Sequence, residues 1–256
     1  MNKASFELRG KTHHLQAPAS WNEVSFAQLQ AWLVVLQSAM PDSDKLKLAV
    51  PVFYEMKPAL LARFPESLRV QLAAALRFLS EKNQLDRWLA PKLKLNWLTT
   101  LYGPADKLSN LTAHEFFNYT ELLYWQYKTT LDVGALDALI AVLYREKRVA
   151  GVNNDIRVPL TDAGVAKRAK MVAKLPLIVK ISVLFNYEGC RNFITAAHKK
   201  AFSSKGKPSK KRFDITLSLS GGPLGDLRYT RAVNIYDFLA HLENLIEREE
   251  NLKKAS

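Results

Sequence analysis

Apolar residues along this chain recur mostly at spacings of three and four, the period of a helix face. Phe26, Leu29, Leu33 and Leu36, with Trp32 alongside, predict a helix over 26–39. Ser25 followed by Gln28 has the form of a capping box in front of it, the Ser oxygen accepting from first-turn N–H groups. Upstream, SFELRG and KTHHLQAP within the first twenty residues read as a short hairpin or an extended arm ending at Pro18. Downstream, Pro41-Asp42-Ser43-Asp44 breaks the first helix and starts a weaker one, itself interrupted at Pro51. Leu68, Leu72, Leu76 and Leu79 stripe a firmer helix that begins at Pro65, a residue favoured at a first helical position. Between Trp88 and Leu98 the run LKLNWL alternates and reads as a short strand. The segment LYGPADKLSN (101–110) gathers Gly, Pro, Asp, Ser and Asn and reads as a loop.

Thr112 with Glu115 forms a second capping box and opens an aromatic-rich helix, HEFFNYTELLYWQY, that ends near Thr130. Asp132 caps a further helix striped by Leu136, Leu139, Ile140 and Leu143. The polar, Gly/Asn/Pro-rich run 145–159 then reads as an internal boundary or a projecting loop. A short basic helix is expected over Thr161–Ala173, and a longer one over Leu175–Ala201 with Ile178, Ile181, Leu184 and Phe185. FDITLSLS, Phe213 to Ser220, alternates with period two and predicts a strand running into a Gly221-Gly222-Pro223 turn. Ile235, Phe238, Leu239, Leu242, Leu245 and Ile246 close the chain as an amphipathic helix capped by Asn234. The expected fold is therefore mainly α, a multi-helix bundle with minor β: an N-terminal hairpin or arm and a short C-terminal strand pair. The expected organisation is a helical body with its extended arm over 1–150. The basic helical segment, small β element and amphipathic helix fill 151–256.

Composition changes this picture little and charge changes it more. The 256 residues are 48% apolar and 24% charged, as in ordinary globular proteins. Cys190 is the single cysteine, so no intramolecular disulfide can form. The most apolar run, Leu175 to Tyr187, is broken by Pro176 and Lys180 and falls short of the roughly 20 residues of a membrane span. With no apolar stretch behind the polar start MNKASFELRGKTHH, a cytoplasmic location is expected and no membrane partner. The net charge of +13 concentrates towards the end: residues 151–256 carry 19 Lys and Arg against 10 Asp and Glu. Such an excess favours salt-sensitive association with polyanions. Its densest part is 198–212, where Lys199, Lys200, Lys205, Lys207, Lys210, Lys211 and Arg212 stand without an acid. These seven are the candidate polyanion-binding residues; the competing reading is a solvated connection.

The usual catalytic arrangements are missing. His114-Glu115 is followed by Phe-Phe-Asn, so no second histidine stands four residues on, as a zinc-protease helix needs. His13 and His14 are adjacent, which on a strand turns their rings to opposite faces. Cys190 beside Arg191 reads as a small buried hydrophobe rather than an activated thiol. No G-x-S-x-G, G-x-x-x-x-G-K-[ST] or G-x-G-x-x-G occurs. Pro104-Ala105-Asp106-Lys107 lies in a turn-rich loop and not on the strand that a metal-dependent nuclease motif requires. Phe116, Phe117, Tyr119, Tyr124, Trp125 and Tyr127 read as a buried helix rather than a stacking platform, since the helix offers Glu115, Glu121 and only Lys128 beside them. No catalytic, cofactor-binding or metal-binding residue is assigned, and a non-enzymatic role is expected.

Two stretches carry a family resemblance. QAPASWNEVSFAQLQAW is similar to the opening of small assembly or structural proteins from tail gene clusters of Bacteroidetes phages and prophages. LYGPADKLSNLTAHEFFNYTELLYWQYKTTLDVGALDALIAVLYRE resembles a second segment of such proteins, in which a Tyr-Gly-Pro loop precedes a Glu-containing helix and an Ala-x-Leu-Tyr-Arg end. The matching positions are Trp21, Glu23, Gln28, Tyr102, Gly103, Pro104, Glu115, Leu143, Tyr144 and Arg145, all within the first 150 residues. The resemblance implies a component that helps to build or decorate a phage-like particle, with other virion proteins or copies of itself as partners. It also implies residence in a host cytoplasm or in the particle. Nucleic-acid binding through 198–212 is the alternative.

Overall fold

The structure, a computed structural model, describes residues 1–8, 11–148, 155–203, 215–221 and 225–255. The described chain is mainly α with minor β. It opens with β1 (Asn2–Leu8) and β2 (Lys11–Ala17), then α1 (Phe26–Leu36), α2 (Asp42–Phe53), α3 (Pro58–Leu61) and α4 (Glu66–Ala74). A small hairpin, β3 (Lys92–Lys94) and β4 (Thr100–Tyr102), follows. A π-helix (Glu115–Thr120) leads into α5 (Glu121–Thr130), α6 (Val133–Leu143), α7 (Asp162–Val172) and α8 (Leu177–Ala197). The short α9 (Lys199–Phe202), α10 (Ile215–Ser218) and α11 (Leu227–Ala232) precede α12 (Ile235–Ala255). These elements divide into two compact units, Met1–Leu89 with Pro176–Gly189, and Ala90–Leu175 with Cys190–Ser256.

The first unit is built on hydrophobic periodicity. β1 and β2 form the expected hairpin, antiparallel from Asn2↔Ala17 to Leu8↔Lys11. Its alternation turns Ala4, Phe6 and Leu15 towards the core and leaves His14 exposed. His13 stacks on Phe6 on the opposite face, the bland role expected of this histidine pair. Ser25 caps α1 with both halves of the capping box in place, and α1 ends at Leu36, three residues short of the expected length. Leu29, Trp32 and Leu33 of α1 meet Ala49, Val50 and Phe53 of α2 in one apolar cluster. Burying each large side chain of this kind contributes about 1.5–3 kcal/mol. α2 runs through Pro51 instead of breaking there. A proline two residues from a helix end forfeits only its own N–H bond, while Val50 and Phe53 on either side are held in the core.

Asparagines, not further helices, hold the 83–89 segment of this unit. Asn22 Oδ1 accepts from the N–H groups of Asp86 and Arg87. Asn83 Nδ2 donates to the Phe185 carbonyl at 2.7 Å. Asn186 donates to the Arg87 carbonyl and accepts from the Leu89 N–H, both at 2.8 Å. Gly189 lets α8 come this close. A Cβ there would meet the Leu85 carbonyl oxygen and lie 2.7 Å from Asn83 Oδ1.

The second unit is organised around α6, in which all but the first two residues and Ala138 are buried. Asp132 caps it by accepting from the Gly134 N–H, as expected. β3 and β4 pair in register, Lys92↔Tyr102 to Lys94↔Thr100. The strand expected in LKLNWL is thus confined to its first residues, and Asn96, Trp97 and Leu98 make the tip. Thr112 and Glu115 exchange the two capping-box bonds, at 3.2 and 3.4 Å. The expected aromatic helix starts there but opens as a π-helix before α5. Phe116 and Tyr124 are buried and Trp125 is half exposed. Arg191 lies over the rings of Tyr124 and Trp125 and forks onto Glu121 at 2.6 and 2.8 Å.

α12 begins where Asn234 Oδ1 accepts from the Tyr236 N–H, the expected cap, and buries Ile235, Phe238 and Leu239. The strand expected over 213–220 is not formed: Ile215–Ser218 is the helical turn α10, and 213–214 lie outside the described residues. The C-terminal strand pair is therefore absent among the described residues. Period-two alternation makes a strand only where another strand accepts its ladder, and among the described residues none does so for Ile215–Ser218. No described helix is long and apolar enough to cross a membrane.

Candidate functional site

The site lies in the second unit, in a cleft of about 860 Å³. Its floor comes from two segments far apart in sequence. Arg145 follows α6, and its backbone pairs with Tyr102 in both directions, at 2.7 and 3.0 Å. That pairing fixes the guanidinium under the π-helix, where Nη1 donates to Glu115 Oε1 at 2.7 Å and to the Val158 carbonyl at 3.1 Å. The other Glu115 oxygen belongs to the cap of its own helix. One carboxylate thus ends a helix and neutralises a buried arginine.

Arg157 completes the floor. Its Nε and Nη2 fork onto Asp155, at 2.9 and 2.8 Å, and its Nη1 donates to the Leu143 carbonyl at 2.8 Å. Asp155 also receives Arg145 Nη2 at 3.4 Å. The two arginines are 1% and 2% exposed. Burial alone would raise the Asp155 carboxyl, but the hydrogen bonds and charge of Arg157, with Arg145 behind them, hold it below the ordinary carboxylate range. Burial pulls the Arg145 guanidinium below its ordinary value, against the attraction of Glu115 and Asp155. Two cations and two anions balance one another in the floor. They convert 145–159, expected as a boundary or projecting loop, into part of the interior at both ends; 149–154 lie outside the described residues.

The rim is richer in arginine. Arg148, Arg228 and Arg231 line the cleft together with His114, and among the described residues the carboxylates on its wall are Glu115 and Asp155. Arg228 and Arg231 come from α11, which Asp226 caps by accepting from the Tyr229 N–H. Leu111, Pro159 and Leu160 supply apolar wall. The cleft can therefore hold a charged group against guanidinium forks.

Of the residues singled out in sequence, Lys199 and Lys200 lie on α9 and are exposed. Lys200 is engaged by α12, with Nζ donating to Glu247 at 2.7 Å and its N–H to Glu243 at 3.0 Å. Lys205, Lys207, Lys210, Lys211 and Arg212 lie outside the described residues. Cys190 is buried, and Asp106-Lys107 sits in a single helical turn with Lys107 over the Phe193 ring at 4.4 Å. Among the described residues no group of three or more His, Cys, Asp or Glu can hold a metal. Arg148, Arg157, Arg228 and Arg231 were missed because each reads as a solvated charge; Arg145 stood out through the resemblance, and Glu115 through the resemblance and its capping box.

A second surface feature belongs to the same unit. At the β3–β4 tip, Asn96 Oδ1 accepts from the N–H groups of Leu98 and Thr99, at 2.9 and 2.7 Å, and Leu95 N–H donates to the Thr99 carbonyl. This turn displays Trp97 at 89% and Leu98 at 73% exposure. Comparison with protein-family models, curated proteins and solved structures finds no match to this chain.

Proposed function

We propose that the protein is a non-enzymatic assembly or structural component of a phage-type tail or virion, acting by protein–protein binding. The observation that carries the binding role is the β3–β4 tip. A large aromatic and a leucine stand almost fully in solvent on a turn tied by three hydrogen bonds. Trp is the residue most enriched at the energetic centre of protein interfaces, and a rigid turn spares the ordering cost of docking it. The phage-type context rests on the resemblance of the two N-terminal stretches. Tyr102 and Arg145, two of the positions carrying it, are paired through their backbones, and Glu115 joins them through its ion pair. The second stretch is thus a single packed structure with the tip at its edge.

Co-expression with the products of the genes flanking its own tests this reading. The wild-type chain should co-purify with one tail or virion protein in fixed ratio, and W97A/L98A should lose it while melting unchanged. Co-purification that survives the double substitution, or no partner among those products, contradicts the reading. Nucleic-acid binding through 198–212 makes a different forecast. Duplex and single-stranded DNA would bind at about 50 mM salt, weaken towards about 200 mM, and weaken again in K207A/K210A/K211A.

A further inference from the structure

We propose that the arginine-lined cleft of the second unit is a binding site for a phosphate ester of about nucleotide size. The inference does not rest on the assembly reading and uses none of the residues in the 198–212 segment. It begins with charge. Five arginines line the cleft against two carboxylates, and both carboxylates are already taken, Glu115 by Arg145 and Asp155 by the Arg157 fork. Arg148 is half-buried and Arg228 exposed, and neither has a carboxylate partner among the described residues. A concave wall with surplus guanidinium charge attracts a group bearing more than one negative charge, which a phosphate carries and a single carboxylate does not.

Two further observations point to the same place. Arg145 is 1% exposed and lines the cleft, yet among the described residues its Nε donor has no acceptor. Buried polar groups are usually satisfied, so an open donor beside a cleft suits an acceptor oxygen brought by a ligand. The π-helix that carries Glu115 inserts an extra residue into the helical ladder at the cleft wall. Such insertions cost stability and occur mostly where function holds them. The cleft volume of about 860 Å³ falls in the range of small-ligand pockets, and Pro159 and Leu160 offer an apolar surface for the remainder of the ester. The phosphate can belong to a free nucleotide or to the end of a nucleic-acid strand, and the experiment separates these sources.

The full chain is titrated calorimetrically at low salt with inorganic pyrophosphate, with a nucleoside monophosphate and with a 5′-phosphorylated oligonucleotide. Pyrophosphate and the monophosphate should bind, and R148A/R228A should weaken both by about tenfold or more, the loss of one to two charge-assisted contacts. R148K/R228K keeps the charge and loses the fork, and should fall between the two. K199A should bind as the wild type does. Tighter binding of the phosphorylated oligonucleotide than of both its unphosphorylated form and the monophosphate assigns the ligand to a strand end; binding of the monophosphate as tight as or tighter than the phosphorylated strand assigns it to the free ester. Absence of any pyrophosphate or monophosphate binding overturns the proposal, as does equal affinity in wild type and in a folded R148A/R228A or R148K/R228K. Neither result touches the co-purification tested with W97A/L98A.

Discussion

The two units keep their buried polar groups in different ways. In the first, the core is Leu, Trp, Phe and Val, and the polar staples are neutral amides of Asn22, Asn83 and Asn186 closing onto backbone groups, with Lys180 the one buried charge among the described residues. In the second, Arg145, Arg157 and Arg168 are all buried and held by Glu115, Asp155, Glu146 and the carbonyls of Ala141, Leu143 and Val158, although Arg145 Nε and Arg168 Nη2 have no partner among the described residues. Neutral amides give a fold at low electrostatic risk. Buried ion pairs repay their desolvation only when geometry is nearly ideal, so they are seldom the cheapest way to fill a core. Two of these arginines, Arg145 and Arg157, line the cleft, in the unit that also displays Trp97.

The largest expected effect breaks the charge network. Glu115→Ala leaves Arg145 short of its best partner and should destabilise the second unit by about 3–5 kcal/mol, read as a lower melting temperature. Acid should act through the same network. Asp155 is held below its ordinary value, so its contribution is present above the ordinary carboxylate range and lost as pH falls through the folded value. Denaturant midpoints should drop below about pH 4, and less in Asp155→Asn than in the wild type.

Next in size is the tightest packing of the first unit. Gly189→Ala drives a methyl into the Leu85 carbonyl and should cost about 1–3 kcal/mol by thermal melting. Ser25→Ala removes one cap oxygen and should cost about 1 kcal/mol in the same assay. Trp97→Ala should change stability by less than about 0.5 kcal/mol, because the side chain it removes packs on nothing. A large loss there would mean that the tip serves folding and not docking.

The same contrast explains what could be read from sequence. The caps at Ser25, Thr112, Asp132 and Asn234 and the hairpin at the N-terminus were legible, because each depends on residues a few positions apart. The first unit's apolar stripes were legible for the same reason. The cleft was not. Arg145 and Glu115 are thirty residues apart, and Arg157 beside Asp155 looks like loop polarity until both are seen to be buried. The π-helix has the same apolar spacing as an ordinary helix start, so one inserted residue left no trace. FDITLSLS shows the reverse error, a local pattern with no partner strand to realise it.

Hydrogen exchange of the full chain, with and without pyrophosphate, tests most directly whether the second unit is the working part. The account predicts slowed exchange in 109–115, 145–148, 155–160 and 228–234, the segments that line the cleft, and no change across 1–89. Unchanged exchange in all four segments, or protection gathered in 1–89, would contradict it.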